Sequence, residues 1–146
     1  MVITAEHERI TSLHRPSHPR SIADESRDPS PLLRDAREQI DAWFARRLHR
    51  FDLPLAPAPT PAQYALRAFL LNLPFGNTCS YKDAAETLGS APRAIGGGCG
   101  RNPFPLVVPC HRIIASDGTL GGYSGFDGLA TKKWLLAFER NPACFT

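Results

Sequence analysis

A proline-rich stretch, DLPLAPAPTP at residues 52–61, most strongly limits how this chain can fold. It carries four prolines in ten residues. Proline lacks the backbone N–H that helices and central strands need, so such a run forms a stiff, extended segment. All 11 glycines lie at position 76 or later, whereas eight of the 14 prolines lie within the first 61 residues. The sequence therefore predicts two units, at residues 1–59 and 60–146.

The composition indicates a soluble globular protein. Of the 146 residues, 42% are hydrophobic and 21% are charged, which suits one compact domain or two small subdomains. No apolar run reaches the roughly 20 residues that cross a membrane, and no apolar signal segment follows Met1. We therefore expect no membrane contact and a cytoplasmic location.

The cysteines indicate free thiols rather than a metal or disulfide site. They stand at positions 79, 99, 110 and 144. None belongs to a C-x-x-C pair, and His111 is the only histidine after His49, so a closed zinc site is not expected. Disulfide frameworks are uncommon in cytosolic chains of this size. We expect neither a metal nor a cofactor.

The first unit is predicted to contain a hairpin and a helix. Residues 2–13 read as apolar, polar turn, apolar, which is typical of a short hairpin. The polar, proline-rich residues 14–31 indicate a loop. From Leu32 to Leu48 the apolar residues recur at helical spacing. One face of that helix would carry Leu33, Ala36, Ile40, Trp43 and Phe44.

The second unit is predicted to be mostly helical. Thr60 caps a helix that Pro61 opens and that runs to about Leu73. The residues FPLVVP form a short buried strand that ends at Cys110. The residues LATKKWLLAFE close the chain as a helix. Its apolar residues are Leu129, Trp134, Leu135 and Phe138, and Lys132 and Lys133 are expected to point outward.

Two short helices in this unit form a helix-turn-helix candidate. SYKD at residues 80–83 has the form of a capping box, Gly89 ends that helix, and Pro92 opens the next one. Arg93 would lie in the first turn of the second helix, where such units contact DNA. Residues 60–146 hold eight Lys and Arg against five Asp and Glu. This excess alone is a weak signal, but it suits an anionic partner.

The glycine-rich residues GGGCG at 96–100 allow two interpretations. Each glycine costs a helix about 1 kcal/mol relative to alanine, so the helix would stop at Ile95. Alternatively, the small residues let this backbone approach another surface closely. We favour the second interpretation, because Arg93 and Arg101 flank the run.

Cys110 is the candidate nucleophile, although a cysteine after an apolar strand is most often simply packed in the core. Pro109 places Cys110 at the end of its element, and the following His111 and Arg112 would favour thiolate over thiol. A thiol nucleophile needs a base, and the base needs an orienting group, roles that suit His111 and Glu139. Adjacent residues of an extended chain point to opposite sides, so we expect a water molecule to connect Cys110 and His111.

Several ordered motifs carry a resemblance to a known family. They are NPFPLVVPCHRII, GGYSG and KKWLLAFE, with RAIGG, LPFGNTCSY and FDLPL before them. Together they resemble the O6-alkylguanine-DNA alkyltransferases (methylated-DNA–protein-cysteine methyltransferases), whose active-site signature is PCHR. The resemblance covers residues 29–140 well and 2–13 faintly. It implies an α+β fold: an N-terminal antiparallel β-hairpin plus helix, shorter than in the family, then a mostly helical domain with a winged-helix-like helix-turn-helix.

The resemblance also implies a DNA-repair reaction that uses each protein molecule once. The helix-turn-helix of a monomer would bind the minor groove of duplex DNA and flip the damaged base out, which costs a few kcal/mol of unstacking. The alkyl group of O6-alkylguanine, and of O4-alkylthymine, would then move permanently to the cysteine. No metal or cofactor takes part.

By the same resemblance, the catalytic residues match one position at a time. Cys110 would accept the alkyl group, and His111 would act as base through water. Glu139 would orient His111, and Asn102 would brace the active-site turn by hydrogen bonds.

Residues that face DNA and the flipped base follow from the same motifs. Arg93 would enter the base stack, where a guanidinium both stacks and pairs, and Tyr81 would assist flipping. The DNA-binding set is Arg93, Tyr81, Ala94, Gly96 and Arg101. The pocket set is Tyr123, Ser124, Tyr81 and Pro105.

Two other functions stay open at this stage. A relative that binds and marks alkylated DNA without transfer would lack the cysteine, so Cys110 argues against it. A hydrolase built on Cys110 and His111 would need an oxyanion hole and a peptide groove, and no motif indicates either.

Overall fold

The computed structural model describes residues 1–16 and 30–140. The predicted loop is therefore described only at its ends, and Cys144 lies outside these residues. The chain packs as two compact units, Met1–Pro57 and Ala58–Thr146, and the boundary between them falls within the proline-rich stretch. No helix in the described ranges is long and apolar enough to cross a membrane.

The first unit begins with the predicted antiparallel hairpin. Strand β1 (Val2–Glu6) pairs with strand β2 (Arg9–His14). Ile10, at the centre of this unit, is fully buried. Its backbone N–H donates to Pro54 O, and its carbonyl accepts from Ala56 N–H. The proline-rich stretch thus adds backbone hydrogen bonds to the edge of a hairpin that would be marginal alone.

Helix α1 (Pro31–Phe44) ends four residues before the predicted Leu48. Arg46 adopts φ +59°, a left-handed conformation that ends a helix. The N–H groups of Arg47 and Leu48 both donate to Ala42 O. The apolar residues continue past this turn at helical spacing, which is why the sequence pattern predicted a longer helix than α1. The buried residues of α1 are Ala36, Ile40 and Trp43, whereas Phe44 is 41% exposed.

The second unit contains four helices and one small parallel sheet in its described part. The elements are α2 (Pro61–Leu71), β3 (Cys79–Ser80), α3 (Tyr81–Leu88), α4 (Pro92–Gly100), β4 (Ile113–Ile114) and α5 (Leu129–Arg140). Strands β3 and β4 pair in parallel. The predicted caps are present: Thr60 Oγ1 accepts from Gln63 N–H, and Ser80 Oγ accepts from Asp83 N–H.

The predicted helix-turn-helix consists of α3 and α4. Gly89 ends α3 at φ +60°, as a C-terminal glycine does. Helix α4 continues through the glycine run to Gly100, so the interpretation that it stops at Ile95 is wrong. A Cβ on Gly98 would lie 2.5 Å from Leu66 Cδ2 of α2. The small residues therefore let α4 pack closely on α2.

The predicted strand before Cys110 is absent. Residues 104–109 are buried but follow a series of turns. Pro105 and Pro109 have no N–H to give to a sheet, and Leu106 adopts φ +78°. Instead, Cys110 begins a single turn of 3-10 helix that ends at Arg112. Hydrophobic composition alone could not separate a buried strand from a buried series of turns.

The buried face of α5 also differs from the prediction. Lys132 is fully buried rather than outward-facing, whereas Leu129 and Trp134 are 52% and 40% exposed. Its buried residues are Lys132, Leu135, Leu136, Phe138 and Glu139. Residues 132, 135, 136 and 139 follow the i, i+3, i+4, i+7 spacing of one helix face. Two charged residues are therefore part of the core face.

Candidate active site

A cavity of about 770 Å³ lies between α3, α4 and the loop that follows β4. Cys110 and Cys99 both line it, together with Tyr81, Tyr123 and Ser124. The cavity thus brings together the candidate nucleophile and three of the predicted pocket residues. Pro105 is buried in the turns before Cys110 and is not among the residues that line this cavity. Its assignment to the base pocket stays a prediction.

Asn102 fixes the turn that carries Cys110. Its Nδ2 donates to Val108 O at 2.9 Å and to Cys110 Sγ at 3.2 Å. Its Oδ1 accepts from Phe104 N–H at 3.0 Å. These three hydrogen bonds hold the turns of residues 104–109 in place, where the two prolines prevent a strand from forming. They also aim a polar N–H at the sulfur, where it would stabilise developing negative charge.

Burial raises the pKa of the Cys110 thiol, and the Asn102 hydrogen bond and the Lys132 charge offset this only in part. Cys110 is therefore a thiol at neutral pH. The expectation that Arg112 would favour the thiolate was wrong, because its guanidinium donates to Glu139 and Leu73 instead. A buried thiol must lose its proton as it reacts, so this site requires a base.

His111 is the buried base candidate, with no exposed surface. Its Nε2 lies 2.8 Å from Glu139 Oε1. Burial lowers the pKa of His111, against the opposing effect of Glu139, so the ring is neutral at neutral pH. Nδ1 is buried and has no hydrogen-bond partner in the described part of the chain.

The Glu139 carboxylate fixes the proton position on His111. Burial raises the pKa of Glu139, but hydrogen bonds from His111 and Arg112 outweigh it and lower the pKa to about 2. An ionised carboxylate only accepts hydrogen bonds. Nε2 must therefore carry the proton of the neutral ring, and Nδ1 has the free lone pair. This tautomer suits a base that receives a proton at Nδ1.

The predicted connection between Cys110 and His111 started from an extended chain, and that premise was wrong. The two residues share the 3-10 turn, whose geometry differs from a strand. No direct hydrogen bond joins the Cys110 sulfur to the His111 ring within residues 1–16 and 30–140. A water-mediated connection stays a prediction.

Sequence reasoning missed Lys132 as a site residue. Its Nζ donates to Ile113 O at 2.6 Å and to Gly122 O at 3.3 Å, and lies 3.4 Å from the Tyr81 hydroxyl. Burial lowers the pKa of Lys132, while Cys110 and Cys99 oppose this. The available signal was its spacing of seven residues from Glu139, which places both on one face of α5.

The tyrosines of the cavity differ in their hydroxyl groups. Burial raises the pKa of Tyr123, and its hydroxyl is buried without a partner among the described residues. Burial also raises the pKa of Tyr81, with smaller effects of Cys99 and Cys110. Ser124 Oγ donates to Gly100 O at 3.0 Å. Both tyrosines are therefore neutral hydrogen-bonding groups near the sulfur-lined cavity.

Four of the five predicted DNA-binding residues lie along α4 and at its end, whereas Tyr81 begins α3. Arg93, Ala94 and Arg101 are exposed, whereas Gly96 is half-buried and lines the cavity. The first turn of α4 is thus open to solvent, and its later turns form a wall of the cavity. One short helix therefore connects the predicted DNA surface with Cys110.

Comparison with known proteins agrees with this geometry. Residues 61–141 match the family described as 6-O-methylguanine DNA methyltransferase, DNA binding domain. A methylated-DNA–protein-cysteine methyltransferase of Methanosarcina barkeri (strain Fusaro / DSM 804) is 43% identical over 75% of this chain and 70% of its own length. This chain belongs to the methylated-DNA–protein-cysteine methyltransferase family. The constitutive member of Bacillus subtilis (strain 168) is 34% identical over 96% of this chain and 88% of its own length.

Solved methyltransferase structures share the fold. The Mycobacterium tuberculosis OGT in complex with DNA has a TM-score of 0.79 and 33% identity, covering 94% of this chain and 84% of that chain. The M. tuberculosis O6-methylguanine methyltransferase has a TM-score of 0.77 and 34% identity, covering 95% and 86%. The predicted α+β fold class and the resemblance to this methyltransferase family are thereby confirmed.

Replacing Asn102 by alanine tests the brace on Cys110. Asn102→Ala leaves Val108 O and Phe104 N–H without their partner, so we expect a loss of about 1–3 kcal/mol in the free energy of unfolding. The sulfur loses a donor worth about 1.5–3 kcal/mol to a charged group, so alkylation of Cys110 by iodoacetamide slows roughly 10- to 100-fold. Peptide mass spectrometry measures this rate at Cys110 alone.

Asn77→Ala is the matched control, because Asn77 is exposed and lies in another turn. It is expected to leave both values unchanged. Alkylation of Cys110 at the native rate in Asn102→Ala would contradict a role of this amide at the sulfur.

Proposed function

We propose that this chain repairs O6-alkylguanine, and O4-alkylthymine, in duplex DNA by moving the alkyl group irreversibly to Cys110. Family membership and the DNA complex of a relative support the reaction type. The observation that carries the assignment to one residue is a buried thiol, held by Asn102, in a cavity with a neutral histidine beside it.

The transfer is a displacement at the alkyl carbon. The sulfur forms a bond to that carbon, and the bond from the carbon to guanine O6 breaks. The thiol proton passes through a water molecule to Nδ1 of His111. The other ring proton stays on Nε2 and keeps its hydrogen bond to Glu139. The departing guanine takes up one proton from water and leaves as the normal base, while His111 returns the thiol proton to water, so that one proton is consumed and one is released. The thioether is stable, so each molecule acts once.

A base within a duplex cannot reach a buried sulfur, so the lesion must leave the stack. In this proposal α4 lies against the minor groove, and Arg93 takes the place of the flipped base. A guanidinium is suited to this because it stacks on bases and also donates hydrogen bonds. The proposal also places three further residues of this region against the DNA: Ala94, Gly96 and Arg101.

Inside the cavity, neutral hydroxyl groups would recognise the flipped base. Tyr123 has a buried hydroxyl without a partner in the described residues, which a polar atom of guanine would satisfy. Tyr81 and Ser124 line the same cavity, and the Tyr81 hydroxyl lies beside the Lys132 ammonium. A donor supported by a cation is suited to a base nitrogen that gains negative charge as the alkyl group leaves.

The alternative, a protein that binds alkylated DNA without transfer, is not favoured. Cys110 is present and accepts a hydrogen bond from Asn102, and the curated relatives of this chain are named methyltransferases. A cytoplasmic location belongs to this proposal, because the reaction needs a reduced thiol and the cytosol maintains one. A monomer is likewise part of the proposal.

Intact-protein mass spectrometry tests this function. The protein is incubated with a duplex that contains a single O6-methylguanine. We expect the mass of one methyl group on the native chain and on Cys99→Ser, and no gain on Cys110→Ser. Tight binding of the duplex with no gain of mass would contradict transfer. Repair of several duplexes by one molecule would contradict the single use of Cys110.

The role of Arg93 in base flipping is tested by two substrates. Arg93→Ala should slow transfer from duplex DNA far more than transfer from free O6-benzylguanine, which needs no flipping. Loss of the residue that fills the stack exposes a few kcal/mol of unstacking cost, corresponding to about 100-fold in rate or more. Lys133→Ala, an exposed residue of α5, is the control. Equal loss on both substrates would refute this role.

A further inference from the structure

We propose that Arg112 is a positioning residue for alkyl transfer: its guanidinium holds the Glu139 carboxylate in the orientation that keeps the proton of His111 on Nε2. This inference rests on the proposed function and adds a residue that orients the base at the same site. Arg112 contacts neither the sulfur nor the base in this role. It acts through Glu139 and His111.

The contact between Arg112 and Glu139 is a two-sided grip. Arg112 Nε lies 3.2 Å from Oε1 and 2.9 Å from Oε2, and Nη2 lies 2.8 Å from Oε1. The two side chains are 6% and 0% exposed. Planar, two-point pairing of this kind fixes direction as well as distance. The carboxylate cannot rotate without breaking hydrogen bonds in a buried site.

The segment before β3 holds this grip from the other side. Arg112 Nη1 donates to Leu73 O at 2.6 Å, and the guanidinium lies 5.8 Å from the centre of the Phe75 ring. Gly76, at φ +82°, donates its N–H to Glu139 Oε2 at 3.1 Å. A left-handed φ suits glycine. Each carboxylate oxygen thus accepts from at least one donor other than His111. His111 donates to Oε1.

The turn at Cys110 makes this arrangement possible. In an extended chain His111 and Arg112 would point to opposite sides. On the 3-10 turn, both side chains reach Glu139 Oε1, at 2.8 Å each. The 3-10 turn, which stands where an extended chain was expected, therefore has a chemical consequence. It allows the Glu139 carboxylate to accept hydrogen bonds both from the base, His111, and from Arg112.

Charge gives Arg112 a second effect on His111. Arginine stays charged in proteins, so Arg112 and Glu139 form a neutral pair. A proton on His111 would then add an uncompensated charge to a buried site, which is costly. Without Arg112, Glu139 would be a buried carboxylate whose nearest partner is the histidine. The ring would then gain a second proton at a higher pH than in the native protein, and with that proton it would lose the Nδ1 lone pair.

Two variants test this role through the pH dependence of transfer from free O6-benzylguanine, a substrate that makes no DNA contacts. Arg112→Met removes both the charge and the grip. We expect the maximal rate to fall at least about 10-fold. We also expect the acid-side midpoint of the pH profile to lie about one pH unit higher, because His111 gains a proton more easily. Arg112→Lys keeps the charge but not the fork, so the midpoint stays near the native value while the maximal rate falls.

Nitrogen NMR of the His111 ring gives a readout that a purely structural role would not move. The native protein should show Nε2 protonated and Nδ1 unprotonated at neutral pH. In Arg112→Met, the ring should become doubly protonated with a midpoint about one pH unit higher than in the native protein. Arg140→Met is the matched control, because Arg140 also connects the end of α5 to the segment before α3, through Thr78 Oγ1 at 3.0 Å. It should leave rate, midpoint and spectrum unchanged.

The outcomes separate this inference from the proposed function. If the variants are less stable but react with the native pH profile and spectrum, Arg112 has only a structural role and the inference is wrong. If Arg112→Met does not fold, Arg112→Lys decides, and a native rate in that variant overturns the grip. If the native protein accepts no alkyl group, the proposed function fails, and the ring spectra still test what Arg112 does to His111.

Discussion

The buried carboxylate of Glu139 is the interaction on which the site depends. It accepts hydrogen bonds from three residues in two parts of the chain: His111 and Arg112 on the turn that carries Cys110, and Gly76 in the segment before β3. The carboxylate itself comes from the last described turn of α5. Elements far apart in sequence thus converge on two oxygen atoms. The position of the Cys110 turn follows from that convergence.

Such an arrangement is expensive unless it is complete. A buried carboxylate loses its hydration, and removing one partner of a buried ion pair typically costs about 3–5 kcal/mol. Glu139 stays ionised because its donors outweigh burial. Cys110, in contrast, stays protonated because one amide and a lysine do not. The two acids of the site therefore rest in opposite protonation states, which leaves a proton to move from sulfur to histidine only during the reaction.

The sequence predicted the features that local rules control, and missed those that depend on long-range polar contacts. The hairpin, the Thr60 and Ser80 caps and the Gly89 helix end follow from turn and capping chemistry, and all are present. Of the pocket residues that the motifs indicated, Tyr81, Tyr123 and Ser124 line the cavity. The buried Lys132 was missed, because its three partners come from other parts of the chain. The strand before Cys110 was predicted from hydrophobicity, which does not count the N–H groups that proline removes.

Two thiols, Cys110 and Cys99, line one cavity, so the central claim concerns which of them reacts. Burial raises the pKa of both thiols, that of Cys99 to about 12, so what favours Cys110 is the N–H that Asn102 donates to its sulfur. Peptide mapping by tandem mass spectrometry after reaction with O6-benzylguanine tests the claim most directly. The account predicts one benzyl group per chain, on Cys110. A benzyl group on Cys99 or another cysteine, with Cys110 unmodified, would contradict it.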